Sequence, residues 1–311
     1  MTTTLTTTLT NNNILEQSNY FFNGSSFLES FINYTDNKPR TLESYIKNIK
    51  QFLIWLDNNN IMDPTFKDIK EYKDYLLATV KPTTAQAYLF AVKRLFAFTS
   101  DCGLYPNIAG KIKSITVSKE TKKDYLTPNQ VKDILKGVTA PRDKAIIILM
   151  VTGGLRDIEI SRAKIEDIRP VGNTRALYIQ GKGKDDKNDY VLLPEATEQA
   201  IQDYLKTRTN IKANEPLFTS TSNNSNGQAL TTRSISQIVK KAMINAGINS
   251  NRLTAHSLRH TAVTLALLSG ASIQEAQQFA RHSNINTTLI YAHNIEKSNN
   301  KCSNLIANNI F

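Results

Sequence analysis

Ala176-Leu177-Tyr178-Ile179-Gln180 and Tyr190-Val191-Leu192-Leu193-Pro194 flank a polar stretch that opens Gly181-Lys182-Gly183-Lys184-Asp185-Asp186. Both flanks are short and rich in β-forming residues, and the glycines and aspartates between them are turn formers, so the segment reads as two neighbouring strands of a small antiparallel sheet. Almost everything around it is helical. Downstream, helical patterns cover 195–208, 232–246, 256–268, 273–281 and 286–292, with an Asn/Ser-rich loop at 220–227. Upstream, Thr127 can cap a helix whose first turn holds Pro128, and an apolar helix covers 142–152. Gly153-Gly154 stops that helix, and 155–163 forms a further short one. The fold class is mainly α with a small antiparallel β-sheet.

Further upstream, 27–102 shows apolar residues returning at three and four positions, as in Leu42, Tyr45, Ile46, Ile49, Phe52, Leu53 and Leu56. Proline-marked breaks at Pro39, Pro64 and Pro82 divide it into four helices, which can bury these stripes only by bundling. Between Tyr105 and Asp124 the periodicity lapses while Lys111, Lys113, Lys119, Lys122 and Lys123 accumulate, which reads as a basic interdomain linker. The expected organisation is a disordered Thr/Asn-rich tail at 1–19, a helical domain at 20–105, the linker at 106–124, an α+β domain at 125–293 and a C-terminal tail at 294–311.

A chain of 311 residues is long enough for two cores. Its net charge of +11 favours anionic partners, nucleic acid foremost. The two cysteines, Cys102 and Cys302, stand far apart in no metal-ligand spacing, which fits a reducing cytoplasm. The longest apolar run, 145–151, is too short to span a bilayer, and the N-terminus has no signal-peptide pattern, so a soluble cytoplasmic protein without membrane partners is expected.

All four histidines, His256, His260, His282 and His293, fall in the last fifth of the chain with Arg259, Arg281 and Tyr291. His256 and His260 share a helix face, but no glutamate or cysteine completes a zinc set, so no metal is expected. His256 and Arg259, three apart, put an imidazole and a guanidinium on one side, a pair suited to a phosphodiester; in isolation they equally fit a helix cap and a surface ion pair. Arg156, following Gly153-Gly154 at a helix start, sits where main-chain N–H groups and its own side chain can converge on an anion, with Glu159 one turn later to hold a basic neighbour.

Four separated blocks then match a known family in order. Thr152–Glu159 resembles T-G-L-R-x-x-E; Gly181-Lys182-Gly183 sits in the hairpin turn; Ala255–His260 resembles H-x-L-R-H; and Arg281–His293 resembles G-H-S-x-x-x-T-T-x-x-Y-x-H. The chain resembles the tyrosine recombinases of the phage integrase and Xer type, tightly over 126–293 and loosely in the helical N-terminal part. The resemblance implies an α+β tyrosine-recombinase catalytic domain behind a helical core-binding bundle. It implies a site-specific recombinase or integrase that acts through a 3′-phosphotyrosyl intermediate and a Holliday junction. Tyr291 would be the nucleophile, His256 its base, Arg156, Arg259 and His282 the groups on the phosphate, and Lys182, with Lys184 as the alternative, the acid for the 5′-oxygen. Glu159 and His260 would support them, and no cofactor is needed, because resealing uses the energy of the phosphotyrosyl bond.

Arg281 departs from the family pattern, which usually has glycine there. In the bundle, Arg40, Thr41, Ser44, Tyr45 and Lys47 near one helix start, and Lys81, Thr83, Thr84, Gln86, Lys93 and Arg94 on another, would lie against DNA. The implied partners are double-stranded DNA with paired sites and three further copies of the chain in a tetramer, with the tail bearing Leu305, Ile306, Ile310 and Phe311 docked on a neighbour. A type IB topoisomerase and a catalytically idle DNA-binding protein remain as alternatives at this point.

Overall fold

The computed structural model describes residues 25–117, 124–181, 186–298 and 302–310. The expected tail at 1–19 lies outside the described residues, as do Lys182 and Lys184. The chain divides into two compact units, one up to residue 119 and one from residue 120.

The first unit contains four described helices, α1 (Ser25–Thr35), α2 (Pro39–Asn58), α3 (Phe66–Thr79) and α4 (Pro82–Asp101). Proline opens α2 and α4, where its missing N–H costs no intrahelical bond. Asp68 starts α3 by accepting from the Thr65 N–H at 2.7 Å. Leu42, Ile46, Ile49, Phe52, Leu53 and Leu56 of α2 are buried along one stripe, facing Leu89, Val92, Leu95 and Phe96 of α4. Phe52 meets Tyr72 and Phe96 edge-on, with ring centres 4.9 and 5.9 Å apart, an arrangement that favours aromatic contact by about 0.5–1.5 kcal/mol per pair.

The stretch 106–124, read from sequence as a basic interdomain linker, packs into the first unit over its first half. Ala109, Ile112 and Ile115 are buried in the helical core. Lys73, Gln86 and Lys93 donate to the carbonyls of Lys113, Ile115 and Ile112 at 2.9, 2.9 and 2.7 Å. Ala109, Ile112 and Ile115 recur every three residues, but the run is too short and too poor in large side chains to read as a helical stripe, so a pattern search passes over it. Residues 118–123 lie outside the described residues.

The second unit joins a helical core to one small sheet. α5 (Pro128–Gly137), α6 (Pro141–Gly153) and the short α7 (Asp157–Arg162) lead into β1 (Ile168–Val171), β2 (Thr174–Ile179) and β3 (Asp189–Leu193). The strands run antiparallel in the order β1-β2-β3, with Leu177 opposite both Ile168 and Val191. β1 is absent from the sequence reading because its Pro170 and Arg169 hide a four-residue edge strand. α8 (Glu195–Leu205), α9 (Thr232–Asn245), α10 (Ala255–Leu268), α11 (Ile273–Ala280) and α12 (Asn286–Ser298) follow.

α6 is apolar on all sides over 145–151, with Ile146, Ile147, Leu149 and Met150 fully buried, and forms the centre of this core. α12 runs through the boundary expected at 293–294, and the segment read as a tail carries a helix of its own, α13 (Cys302–Ile310). Among the described residues, no helix is long and apolar enough to cross a membrane.

Candidate active site

α6 ends at Gly153, and Gly154 adopts the left-handed conformation, φ 57° and ψ 33°. A Cβ there would lie 2.9 Å from Cε1 of Phe279, so both the dihedral and the space require glycine. The turn hands the chain to Arg156, the N-cap of α7. The main-chain N–H of Arg156 does not face an open anion site, as its position in the sequence suggested; it donates to Oε2 of Glu159 at 2.8 Å. Its Nη1 pairs with Oε1 of the same carboxylate at 2.7 Å, so Glu159 grips both ends of Arg156.

Glu159 is fully buried, and a second cation shares it: Nη2 of Arg281 lies 3.1 Å from its Oε2. Arg281 closes α11 in the left-handed region, φ 53° and ψ 46°. Roughly 1–2 kcal/mol opposes that conformation in a residue with a Cβ. Arg259 of α10 is 1 % exposed, with Nη1 donating to the Gly154 carbonyl at 2.5 Å and Nη2 to that of Ala280. Burial, and then Arg156 and Arg281, push its guanidinium down to about 9, which leaves it charged at neutral pH. Two guanidiniums thus meet one buried carboxylate and a third is held beside them by main-chain carbonyls, an excess of positive charge that an anion would relieve.

Tyr291 of α12 is half-buried, and its hydroxyl bonds Nδ1 of His260, not His256. His256 stands behind, its ring edge-on to that of His260 with centres 4.6 Å apart. Burial pushes the Tyr291 phenol up, against the pull of Arg259 and Arg156, so it stays protonated at neutral pH and needs a base to react. His282 stacks on Tyr291 with ring centres 6.2 Å apart, and its Nδ1 lies 2.9 Å from Oγ1 of the buried Thr288. Burial, and then Arg259, Arg156 and Arg281, push His282 down to about 4.

An open cleft of about 760 Å³ is lined by Arg156, Gly181, Asp189, Gln277, Arg281 and His282. Gly181 is the residue before Lys182, which itself lies outside the described residues. Arg156, Arg259, His282 and Tyr291 are therefore brought together, with His256 one ring away and His293 exposed on α12. Sequence reasoning assigned no part to Thr288 and left that of Arg281 open; the adjacent hydroxyl and the glycine-to-arginine departure were the available signals.

In the first unit, Ser44, Tyr45, Thr83, Gln86 and Lys93 line one cleft of about 270 Å³ formed by α2, α4 and Ser114-Ile115. Gln86 and Lys93 are already engaged there by main-chain carbonyls. Arg40, Lys47 and Lys81 are exposed and Thr41 and Thr84 half-buried, while the Arg94 guanidinium lies 5.7 Å from the centre of the Tyr34 ring.

Residues 124–298 match the model of the phage integrase family. A tyrosine recombinase XerC of Caldanaerobacter subterraneus subsp. tengcongensis is 35% identical over 175 residues, 54% of this chain and 47% of that one. A tyrosine recombinase XerA of Pyrococcus horikoshii is 30% identical over 275 residues, covering 86% of this chain and 88% of that one. Among solved structures, the XerH site-specific recombinase bound to a palindromic difH substrate superposes with a TM-score of 0.70 at 21% identity, over 88% of this chain and 84% of that one. The chain belongs to the phage integrase family, the tyrosine recombinases, enzymes that cleave and rejoin DNA strands.

Two outcomes follow from this geometry. Gly154→Ala should lower stability by about 2 kcal/mol or more in urea unfolding, because it adds left-handed strain to an overlap with Phe279. His282 titrates near 4 when folded and near 6.5 when unfolded. Between those values the unfolded chain binds the extra proton, so this contribution to stability is full above about 6.5 and fades as pH falls toward 4. Thermal melts from pH 7 to 5 should show a steeper loss for the wild type than for His282→Gln.

Proposed function

We propose that this chain is a site-specific recombinase of two DNA duplexes, with Arg156, Lys182, His256, Arg259, His282 and Tyr291 as its catalytic residues. The observation that carries this reading is the convergence, within one unit, of a protonated tyrosine, a histidine at its hydroxyl with a second histidine behind it, and three guanidiniums held by the Glu159 carboxylate and the Gly154 carbonyl. That combination fits an attack on a phosphodiester. As the Tyr291 oxygen bonds phosphorus, its proton leaves toward the histidine pair: His260 holds the hydroxyl through Nδ1, and His256 takes the proton as the oxygen turns to the phosphate. Arg156, Arg259 and His282 stabilise charge on the non-bridging oxygens, where loss of one donor typically costs about 3–4 kcal/mol.

The bond from phosphorus to the 5′-oxygen breaks, and Lys182 supplies that oxygen with a proton. The resulting 3′-phosphotyrosyl link retains the phosphodiester's energy, so the 5′-hydroxyl of a partner strand reverses the step through a Holliday junction. In the first unit, the residues lining the α2–α4 cleft, together with Arg40, Thr41, Lys47, Lys81, Thr84 and Arg94, position the duplex. Four copies act together, with α13 docking on a neighbouring subunit; Leu305, Ile306 and Ile310 of that helix are 59, 58 and 66 % exposed, an apolar stripe suited to burial between chains.

A nicked suicide duplex, whose released strand end diffuses away, tests the chemistry. The wild type should become covalently attached and Tyr291→Phe should not; an adduct with the variant, or none with the wild type, overturns the assignment. Leu305→Asp with Ile306→Asp should leave that trapping within about threefold while reducing recombination between paired sites at least about tenfold, the loss expected when an apolar subunit contact is broken. Equal recombination would remove α13 from the assembly.

A further inference from the structure

Arg281 stands at the junction of the arginine cluster and is bonded to both of its anchors. Its Nη2 shares the Glu159 carboxylate with Arg156, and shares the Gly154 carbonyl with Arg259, at 3.0 Å for Arg281 and 2.5 Å for Arg259. Its Nη1 donates to Phe279 at 2.7 Å and Gly153 at 3.3 Å. One side chain thereby ties the end of α11 to the Gly153-Gly154 turn and to the carboxylate that orients Arg156. The connection is rigid at both ends. The planar fork of a guanidinium sets the angle between its bonds, and the side chain is only 9 % exposed.

The backbone at this position favours glycine, and the residue present accepts left-handed strain in order to place a guanidinium there. A surface cation attracting DNA would not require that: Arg162, exposed at the end of the neighbouring α7, provides charge without strain. We infer that Arg281 is a positioning residue for strand cleavage, which fixes the spacing of Arg156 and Arg259 so that both meet the non-bridging oxygens of one phosphate. Arg281 acts through the other two guanidiniums, on the developing charge of the transition state and not on overall affinity for DNA. The inference rests on the reaction proposed above.

The test compares wild type, Arg281→Gly and Arg281→Lys on two suicide duplexes that differ at the scissile position, one with a natural phosphodiester and one with a neutral methylphosphonate. Glycine relieves the backbone and removes the fork; lysine keeps a cation and removes only the fork. On the phosphodiester, Arg281→Gly should form adduct at least about tenfold more slowly, with DNA affinity within about twofold and lysine restoring little, as expected for misplaced transition-state donors. On the methylphosphonate, which lacks the charge the arginines offset, the gap between wild type and variant should shrink to about threefold or less.

An unchanged rate on the phosphodiester, or an equal loss on both substrates, would overturn the inference and leave Arg281 a purely structural tie. Should Arg281→Gly fail to fold, Arg281→Lys goes through the same comparison with the same criteria. Absence of adduct with the wild type on both duplexes would strike the proposed reaction instead, separating the two failures.

Discussion

The carboxylate of Glu159 is the constraint around which the catalytic unit is arranged. A fully buried carboxylate is costly unless paired and hydrogen-bonded, and here it receives the Arg156 main-chain N–H, the Arg156 guanidinium and the Arg281 guanidinium. Those bonds fix the start of α7, the end of α11 and the side chain of Arg156 at once. The Gly154 carbonyl extends the arrangement by accepting from both Arg259 and Arg281, so the three cations are held by two acceptors a few residues apart in the chain.

Local rigidity at this point depends on the packing behind it. Gly153 lies against β3, where an added Cβ would be 3.4 Å from Val191, and Gly154 lies under Phe279 of α11. The apolar α6 anchors the turn in the core, which is why two consecutive glycines, unfavourable within a helix, serve here to end one. Charge accumulates on the other side of the turn. That charge lowers His282 and opposes the effect of burial on Tyr291, so the same arginines that would meet a phosphate also set the protonation of the residues beside it.

Much of the architecture was legible in the residue order. The 3.6-residue stripes of α2 and α4, the proline starts and the turn formers between β2 and β3 each carry a local signal, and the observed elements fall where those signals are strong. The misses have a common cause. β1 is four residues long and contains a proline, and Ala109, Ile112 and Ile115 form too short a run to establish a period, so their burial depends on which surface is available nearby rather than on their own pattern. The extension of α12 past His293 and the helix α13 likewise lie in short, largely polar segments whose few apolar residues do not by themselves specify a helix.

For the site, it was the ordered match of four blocks to the tyrosine recombinases that marked Arg156, Glu159, His256, Arg259, His282 and Tyr291 as candidates; read alone, His256 and Arg259 equally fit a helix cap and a surface ion pair. Their partners were not readable. The resemblance made His256 the base and His260 its support, and only the packing of α12 against α10 decides that the Tyr291 hydroxyl bonds His260. Arg281 showed in the sequence only as a departure from the family's glycine; the left-handed end of α11 directs it onto Glu159 and Gly154. Sequence by itself determines periodicity, turns and the inventory of reactive groups, since these depend on near neighbours along the chain. Which of those groups touch is decided by tertiary structure, because hydrogen bonds act over about 3 Å between residues that here stand more than a hundred positions apart.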